Sequence, residues 1–531
     1  MEQLAAVTKP APLVGTIAAI ALTVLVPMSL IGITPEPGSN AWMLTLMVTT
    51  VAGLRLAWVT ASAVRRPFEL MFSLFFYIFL GLAPLVQLRV QRDPSTTKWL
   101  VHSFDFTAIM IILVGLIATI IGSHFAGLKP AQIINSRFLR ERVSDRRVPL
   151  FSVTLLLFAL AYIAIIGPDT LFSNRTVLTK MRSEVFGDSI VAIIAAAVVS
   201  MGLLVSFLAQ VQLRRQRRSR GVKAPQLLMV LTLLVLLICV NPVTSPRFVC
   251  GTVYLALAAG LGVFASIRRF RIACVVAPLA LLYVFPLADA FRGQDEAAQQ
   301  GGVVNSLING DFDSFGQIVN TANLVSVEGF QFGQQGLGAL LFWVPRSVWP
   351  NKPVDTGILL AEFRGYWFTN LSAPIVAEFF IDGGWVLLVI GMFLLGWWMR
   401  RWDGLTELTI EKFGSPPIIA AILPFYMLLV LRGSLLQAMS YLAVILGSAF
   451  FLREKESSGE NRLKKKPGNR PGLVGNGSSG RILGSNHKRS TRDPAGYGRL
   501  ADRTANVGLS SQQDSRSGGD RSSQDSGLAR N

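Results

Sequence analysis

The sequence predicts an all-α protein that crosses a membrane many times, and three observations support this fold class. Hydrophobic residues make up 51% of the 531 residues, charged residues only 15%, and the mean hydropathy is +0.49. Apolar windows long enough for a bilayer-spanning helix, which needs about 20 residues, recur between Leu13 and Phe451. The alternation of apolar and polar residues that marks a transmembrane barrel strand is missing. We therefore expect a polytopic helical membrane protein.

Apolar length and flanking residues place about twelve spans. The first follows Lys9 and lacks a small-residue cleavage site, so we interpret it as an anchor rather than a removable signal peptide. The predicted spans are residues 13–33, 41–61, 68–88, 107–127, 149–167, 189–211, 226–240, 249–266, 271–288, 383–399, 416–431 and 435–452.

Basic residues in alternate connections predict the orientation. Arg65–Arg66, the run RRQRRSRGVK, RRFR and Arg400–Arg401 all fall in even-numbered turns, whereas the first turn, TPEPGSN, has none. The positive-inside rule then places both termini in the cytoplasm. We expect the protein in the cytoplasmic (inner) membrane. These turns and the tail account for the net charge of +19, which therefore indicates contact with membrane lipids and no nucleic-acid partner.

The composition changes near residue 455, which divides the chain into two predicted domains. Residues 1–454 form the transmembrane domain, and residues 455–531 are rich in Gly, Ser, Arg and Asn with few large apolar residues. Such a segment cannot bury enough surface to offset its ordering entropy, so we predict a disordered, basic cytoplasmic tail. A role for the tail in binding lipid or a partner is the alternative.

Cysteine and histidine usage points to no metal site and no disulfide framework. Cys239, Cys250 and Cys274 all fall in or beside apolar spans, where small buried hydrophobes are expected. No His, Cys and Asp cluster has metal-ligand spacing, and no Gly-rich nucleotide loop precedes a helix. We expect no cofactor and no metal.

The stretch from Asp289 to Leu371 interrupts the apolar pattern with Gly, aromatic residues and repeated charges, and we predict it to be a large extracytoplasmic loop. Asp311 and Asp313 lie two residues apart in NGDFDSF, and Arg346 and Lys352 flank a proline-rich turn. The aspartates could instead mark a helix N-terminus, and basic side chains can snorkel to lipid headgroups.

Further candidates lie beside this stretch. Arg247 follows two prolines in NPVTSPRF, Arg292 lies three residues after Asp289 on one helical face, and Glu378 precedes the tenth predicted span. An intrahelical ion pair is the structural alternative for Arg292. Trp349 belongs to a crowd of aromatic residues that can form an interfacial belt or stack on sugar rings, and the two roles are compatible.

Arginines, carboxylates and aromatic residues at one membrane surface suit a lipid-linked, phosphorylated sugar. Arginine forks bind phosphate oxygens in a bidentate manner, and a carboxylate can deprotonate a sugar hydroxyl. A transporter is expected to place ionisable residues near the bilayer midplane, whereas these spans are nearly free of charge, with Arg55 as the main exception.

The motifs of this region resemble those of the oligosaccharide repeat-unit polymerases, the Wzy-like O-antigen and exopolysaccharide polymerases. FWVPRSVWPNKP carries the resemblance together with FTNLSAPIVAEFFIDGGW, GDFDSF, NPVTSPRF and FPLADAFR. It runs from about Asn241 to Trp385, with compatible topology over Leu13 to Leu452. The resemblance implies a C-type glycosyltransferase-like membrane enzyme that uses no nucleotide sugar.

The resemblance implies a donor glycan on undecaprenyl pyrophosphate and a single lipid-linked repeat unit as acceptor. It also makes a flippase and a chain-length regulator candidate partners. On this hypothesis basic residues bind pyrophosphate, Trp349 contacts the substrate, and the general base is Glu378 or one of Asp311 and Asp313. The pyrophosphate-binding residues would be Arg247, Arg292, Arg346 and Lys352.

Other classes of function stay open at this point. A polysaccharide exporter or lipid-linked sugar flippase is the second hypothesis, and a structural membrane partner of a glycan assembly complex is the third. Related O-antigen ligases share the general plan but carry a histidine in the large outer loop. The stretch from Asp289 to Leu371 has none, which favours a polymerase over a ligase-like transferase.

Overall fold

The computed structural model describes residues 10–37, 40–126, 142–173, 175–187, 189–222, 226–284, 302–369 and 371–454. This part of the chain is helical apart from its loops and one isolated bridge between Val143 and Arg453. In chain order the helices are α1 Pro12–Ile33, α2 Ala41–Ala61, α3 Pro67–Val90, α4 His102–Phe125, α5 Arg147–Ile166, α6 Arg175–Phe186, α7 Val191–Ser219, α8 Leu227–Cys239, α9 Arg247–Leu261, α10 Ile267–Leu279, α11 Val303–Ile308, α12 Ser314–Glu328, α13 Gln334–Leu340, α14 Thr356–Arg364, α15 Ile375–Phe413, α16 Ile418–Arg432 and α17 Leu435–Leu452.

The prediction of a helical membrane protein is confirmed at this level. Eight helices of the described ranges are long and apolar enough to cross a bilayer, namely α1 to α5, α7, α15 and α17. Helices α8, α9 and α16 are apolar but shorter, and α10 begins with the arginine-rich sequence IRRFR. Each predicted span overlaps one of these helices, while the number twelve stays a prediction. The predicted tail lies outside the described residues.

Helix α3 forms the centre of the bundle, because its apolar window is buried over its whole length. Its phenylalanines stack along the helix, with ring centroids of Phe72 and Phe76 4.4 Å apart and those of Phe75 and Phe79 5.2 Å apart. Aromatic pairs at such distances stabilise the core beyond the area they bury. Helix α3 therefore provides a rigid reference for the loops at its two ends.

Helices α4 and α15 cross at very close range through glycines. A Cβ atom at Gly122 would overlap the backbone of Phe393, and one at Gly396 would overlap the backbone of Thr119. Small residues allow helix backbones to approach closely in membrane proteins, where packing rather than apolar burial drives association. This crossing fixes α15 against the bundle.

Connecting segments meet at the two ends of the bundle. The loop end consists of residues 91–104, 241–247, 302–369, 371–374 and 432–434, which bond to one another through side chains. The arginine end consists of residues 62–66, 260–271 and 400–407. Four helices, α11 to α14, lie within the segment that the sequence predicts to be a large loop.

Ion pairs at the arginine end link α3 to α15. Arg65 holds Glu407 in a bidentate pair, with Nε–Oε2 and Nη2–Oε1 distances of 2.6 and 2.8 Å. Asp403 accepts hydrogen bonds from the backbone N–H groups of Phe68 at 2.9 Å and Glu69 at 3.1 Å, and thereby caps α3. The sequence predicts only a topological role for Arg65, and the structure adds this packing role.

The three cysteines are buried, as the sequence predicts, and none of them forms a disulfide bond within the described residues. Cys250 donates its thiol proton to the carbonyl of Asn241 at 3.4 Å. A buried thiol in such surroundings acts as a small packing group.

Candidate functional site

Two arginine–aspartate pairs lie together at the loop end. Arg247, the first residue of α9, pairs with Asp311. Arg432, the last residue of α16, pairs with Asp313 at 3.1 Å and also donates from Nε to the carbonyl of Asp311 at 3.0 Å. We call these four residues the paired-charge cluster. The structure thus brings together Arg247, Asp311 and Asp313, which the sequence singles out separately.

The segment that carries the two aspartates is held in place by the buried helix α3. Gln87 donates from Nε2 to the carbonyls of Leu307 at 2.8 Å and Phe312 at 2.9 Å. The Phe312 ring stacks on Phe79 of α3, with centroids 4.8 Å apart. Residues 310–312 form one 3₁₀ turn, and Asp313 follows it as the N-cap residue of α12. The aspartates therefore have fixed positions relative to the bundle.

Asp313 and Asp311 differ in their access to solvent. Asp313 is 2% exposed and accepts hydrogen bonds from Arg432, from Ser372 at 2.7 Å and from Thr96 at 3.3 Å. The Asp311 side chain is 25% exposed. A ligand arriving at the loop end can therefore reach Asp311, whereas Asp313 is enclosed by its partners.

Sequence reasoning missed Arg432, the residue that joins both aspartates. Its guanidinium lies 4.9 Å from the centroid of the Phe248 ring. The cation is therefore held by the face of the aromatic ring as well as by hydrogen bonds. A signal was present in the sequence. Arg432 ends an otherwise uncharged apolar run. It lies on the side of the membrane where the positive-inside rule predicts few basic residues.

Glu378 lies in a separate, enclosed group near the start of α15. Its Oε2 accepts a hydrogen bond from Thr356 at 2.7 Å and its Oε1 accepts one from the backbone N–H of Leu435 at 3.0 Å. The residue is only 2% exposed. With both oxygens engaged, Glu378 ties α14, α15 and α17 together.

Two further carboxylates cap short helices of the loop end. Asp382 accepts from the backbone N–H groups of Gln335 at 3.0 Å and Gly336 at 2.7 Å, at the start of α13. Asp355 caps α14 by accepting from the N–H of Gly357 at 2.9 Å. Burial raises the pKa of the Asp355 carboxyl above its ordinary value. These bonds assign both groups to the local architecture.

The predicted basic residues of the proline-rich turn serve that turn directly. Arg346 donates to the carbonyls of Lys352 at 2.8 Å and Pro353 at 3.4 Å. The Lys352 ammonium donates to two carbonyls of the same turn, at 2.6 and 3.0 Å. Burial is the main cause that lowers the pKa of Lys352, and the positive charge of the neighbouring Arg346 lowers it further. Arg346 is exposed and Trp349 is partly exposed, so both can be reached from solvent.

The predicted site residues therefore lie in three places. Arg247, Asp311 and Asp313 belong to the paired-charge cluster, Glu378 is enclosed within the first turn of α15, and the remaining described residues lie in the turn over 341–353. Arg292 lies outside the described residues.

The first turns of α12 present buried polar side chains directly after the aspartates. Ser314, Gln317 and Asn320 are all 0% exposed. Ser314 Oγ, Gln317 Nε2 and Asn320 Oδ1 have no hydrogen-bond partner within the described ranges. Buried polar groups are normally paired, so each exception calls for a physical explanation, such as a bound water or ion or a functional role. The helix that begins at the paired-charge cluster therefore carries buried polar groups whose partners lie outside the described contacts.

No group of three or more His, Cys, Asp and Glu side chains in the described ranges is placed to hold a metal ion. In comparisons with known proteins the chain matches no family model, no curated protein and no solved structure.

Proposed function

We propose that the protein is a membrane glycosyltransferase that polymerises lipid-linked oligosaccharide repeat units into a surface polysaccharide or exopolysaccharide. The loop end would face outward from the cytoplasmic membrane, with both termini in the cytoplasm. The donor is a growing glycan on undecaprenyl pyrophosphate, and the acceptor is a single lipid-linked repeat unit. A flippase would supply that unit, and a chain-length regulator would act beside the enzyme.

One observation carries the proposal: two guanidinium groups converge on residues 311–313 at one end of an apolar helical bundle. Planar guanidinium forks are the side chains best suited to pyrophosphate oxygens. Grooves between apolar helices suit a polyprenyl chain, so the headgroup would be held where the chain leaves the bundle. The motif resemblance over residues 241–385 points to the same substrate.

The cluster is arranged to respond to an incoming anion. Arg247 and Asp311 are held by each other, and the Asp311 side chain is partly exposed. A pyrophosphate that reaches the cluster competes with the Asp311 carboxylate for Arg247. Arg432 stays anchored by the enclosed Asp313 and keeps its direction. In this proposal Asp311 shields Arg247 in the empty site and yields it to the donor.

The chemical step breaks the bond between the anomeric carbon of the donor glycan and the pyrophosphate oxygen. The electron pair leaves with undecaprenyl pyrophosphate, and the acceptor hydroxyl oxygen forms the new glycosidic bond as its proton passes to a base at the loop end. Arg247 and Arg432 stabilise the negative charge that develops on the leaving group, which is the interaction that strengthens most in the transition state.

Asp313 and Glu378 act as positioning residues in this proposal. Each is enclosed and has its oxygens engaged by neighbouring donors. Asp313 orients Arg432, and Glu378 joins the helices that frame the loop end. Arg346 and Trp349, which are accessible in the turn over 341–353, are candidates for contact with the lipid-linked glycan.

Deletion of the gene in its host tests the proposal against its alternatives. A polymerase defect leaves single lipid-linked repeat units on the outer leaflet, and Arg247→Ala should not restore polymer at matched protein level. Accumulation on the inner leaflet would instead show an exporter or flippase. Accumulation of full-length polymer on its lipid carrier would show a ligase-like transferase.

A further inference from the structure

A histidine flanked by two aspartates lies on the loop-end segment 91–104. Nδ1 of His102 is 3.0 Å from Oδ2 of Asp105, and Nε2 is 3.4 Å from Oδ1 of Asp93. A carboxylate can only accept, so in the tautomer with the proton on Nδ1 that nitrogen donates to Asp105. In this tautomer the lone pair is on Nε2, which faces Asp93, so an acceptor hydroxyl reaches Nε2 by displacing the Asp93 carboxylate.

The exposures of His102 and Asp105 are those expected of a general base and of the carboxylate that orients it. The His102 side chain is 54% exposed, whereas that of Asp105 is 8% exposed. Asp105 Oδ1 is buried and has no hydrogen-bond partner among the residues that the structure describes. An enclosed carboxylate that fixes the orientation of an accessible imidazole also stabilises the imidazolium once a proton is transferred.

The segment that carries His102 is bonded to the paired-charge cluster and to α12. Thr96 donates to Asp313 at 3.3 Å. A Cβ atom at Gly316 of α12 would come within 2.9 Å of Thr97 Oγ1, which shows how closely the two segments pack. His102 therefore belongs to the same end of the bundle as the proposed pyrophosphate site.

Further bonds from α14 and the residues after it hold this segment in an unusual conformation. Trp99 has φ of 60°, in the left-handed region that bulky residues rarely occupy. Arg364 donates to the Trp99 carbonyl, and the Tyr366 hydroxyl donates to the carbonyl of Lys98 at 2.9 Å. Strained backbone of this kind persists only where its surroundings enforce it, and it concentrates at functional sites.

The carboxylates at the loop end are poorly placed to take a proton from a sugar hydroxyl. Asp311 is paired with Arg247 in the empty site, and Asp313 and Glu378 are enclosed. His102 is half-exposed, and an acceptor hydroxyl can reach its Nε2 by displacing the Asp93 carboxylate.

We propose that His102 is the general base of the glycosyl transfer and that Asp105 is its positioning residue, an inference that rests on the proposed function. His102 Nε2 accepts the proton of the acceptor hydroxyl as that oxygen forms its bond to the anomeric carbon. The pyrophosphate leaves with the electron pair of the broken bond. Asp93 and Asp105 stabilise the resulting imidazolium, which returns its proton to water.

A purely structural role for His102 predicts different behaviour. As an i,i+3 partner of Asp105 at the start of α4, the histidine could simply stabilise the first turn of the helix. Asn offers an N–H donor to Asp105 but cannot take up a proton. His102→Asn therefore retains the structural contact and removes the proposed chemistry.

The test uses the full-length protein in detergent or nanodiscs with a lipid extract from cells that lack the gene, which supplies the lipid-linked repeat unit. His102→Asn should lower kcat by at least about 100-fold, the contribution expected of a general base. Thermal unfolding should be unchanged. His124→Asn, the same substitution near the other end of α4, should retain wild-type kcat.

Two readouts separate proton transfer from structure. Added imidazole should restore part of the rate of His102→Ala, because the half-exposed position leaves room for a free base. The wild-type kcat/KM should fall on the acid side, as the imidazole becomes protonated. That limb should move to lower pH in Asp105→Asn, which removes one of the two negative charges that contact His102, the other being Asp93.

The outcomes distinguish this inference from the proposed function. If wild type and His102→Asn make polymer with equal kcat and the same pH profile, the proposed role of His102 is overturned. The proposed polymerase function then still stands. Loss of rate that imidazole does not restore and that accompanies lower thermal stability also overturns the role of His102. No polymer from the wild-type protein contradicts the proposed function itself.

Discussion

At the scale of the residue, Arg432 determines whether the paired-charge cluster keeps its shape. Arg432→Ala leaves the enclosed Asp313 without its cation, and breaking a buried pair in this way costs about 3–5 kcal/mol. Arg432→Lys keeps the charge, but one ammonium cannot replace the separate contacts of Nε and Nη2. We expect both variants to lose polymer formation, measured at matched protein level, and to unfold at lower temperature.

A matched control and a double variant sharpen this prediction. Arg401→Lys should be silent, because Arg401 lies over the Trp397 ring at 4.4 Å and either cation can occupy that position. Arg432→Ala combined with Asp313→Asn should recover part of the stability but none of the activity. Full activity in Arg432→Lys would show that the cluster does not depend on a guanidinium.

Asp355 provides a pH-dependent prediction. Because burial raises the pKa of its carboxyl, the folded state binds this proton more tightly than the unfolded state does. Its contribution to stability is therefore greatest below the ordinary carboxyl pKa and is lost as pH rises through the raised value. Asp355→Asn keeps an N-cap acceptor and should equal wild type in Tm at acid pH and exceed it at neutral pH. A lower Tm for Asp355→Asn at neutral pH would contradict this reasoning.

The sequence shows which residues can carry charge chemistry but not which ones meet. Asp311 and Asp313 stand out because acidic residues interrupt an apolar chain after a break. Their partners Arg247 and Arg432 come from helices that are distant in sequence, so local patterns contain no information on the pairing. Glu378 likewise depends on Thr356 and Leu435, which only tertiary packing brings to it.

At the scale of the element, the crossing of α4 and α15 depends on glycine. Gly396→Ala places a methyl group against the backbone of Thr119, which cannot move away as a flexible side chain would. We expect this substitution to separate the helices and to lower the level of folded protein in the membrane. Fluorescence-detected size-exclusion chromatography of a tagged protein measures this directly.

Gly447 supplies the matched control for that substitution. It lies in α17, and a Cβ atom there meets nothing within 4 Å. Gly447→Ala should leave the elution profile unchanged and slightly favour the helix, because alanine has the higher propensity. Equal profiles for Gly396→Ala and Gly447→Ala would show that the crossing tolerates a wider separation.

Helix positions could be predicted from apolar length, but helix continuity could not. The tenth predicted span covers 383–399, whereas the helical residues of α15 run over Ile375–Phe413 with a break at Gly383 and Gly384. The extension beyond residue 399 follows from long-range contacts, since Asp403 and Glu407 are held by α3 and Arg65. A kink within α15 falls at Gly384, whose φ of 59° and ψ of −148° suit glycine alone.

At the scale of the whole molecule, the orientation is open to a direct test. All three native cysteines are buried, so single cysteines introduced at exposed positions can be labelled selectively. Gln334→Cys at the loop end should react with a membrane-impermeant maleimide added to intact cells or spheroplasts. Ser219→Cys, at the end of α7 rich in basic residues, should react only after the membrane is opened. The reverse pattern would invert the orientation and move the proposed site to the cytoplasm.

The overall class followed from composition for two reasons: lipid offers no hydrogen bonds to the backbone, which favours helices, and each helix that crosses the bilayer must be apolar over about 20 residues. The arrangement of the loop end did not, because its residues are set by packing against α3 and by bonds between four separate segments. His102 illustrates the gap: a lone histidine near a span end is unremarkable until Asp93 and Asp105 are seen beside it.

The most direct test of the central claim is reconstitution of the purified protein with lipid-linked repeat units extracted from cells that lack the gene. Our account predicts a ladder of longer glycans on the lipid carrier, with release of undecaprenyl pyrophosphate for each bond formed and no requirement for a nucleotide sugar. Arg247→Ala should abolish both the ladder and the release. Movement of the unmodified repeat unit across the vesicle membrane, without any change in its length, would contradict the claim.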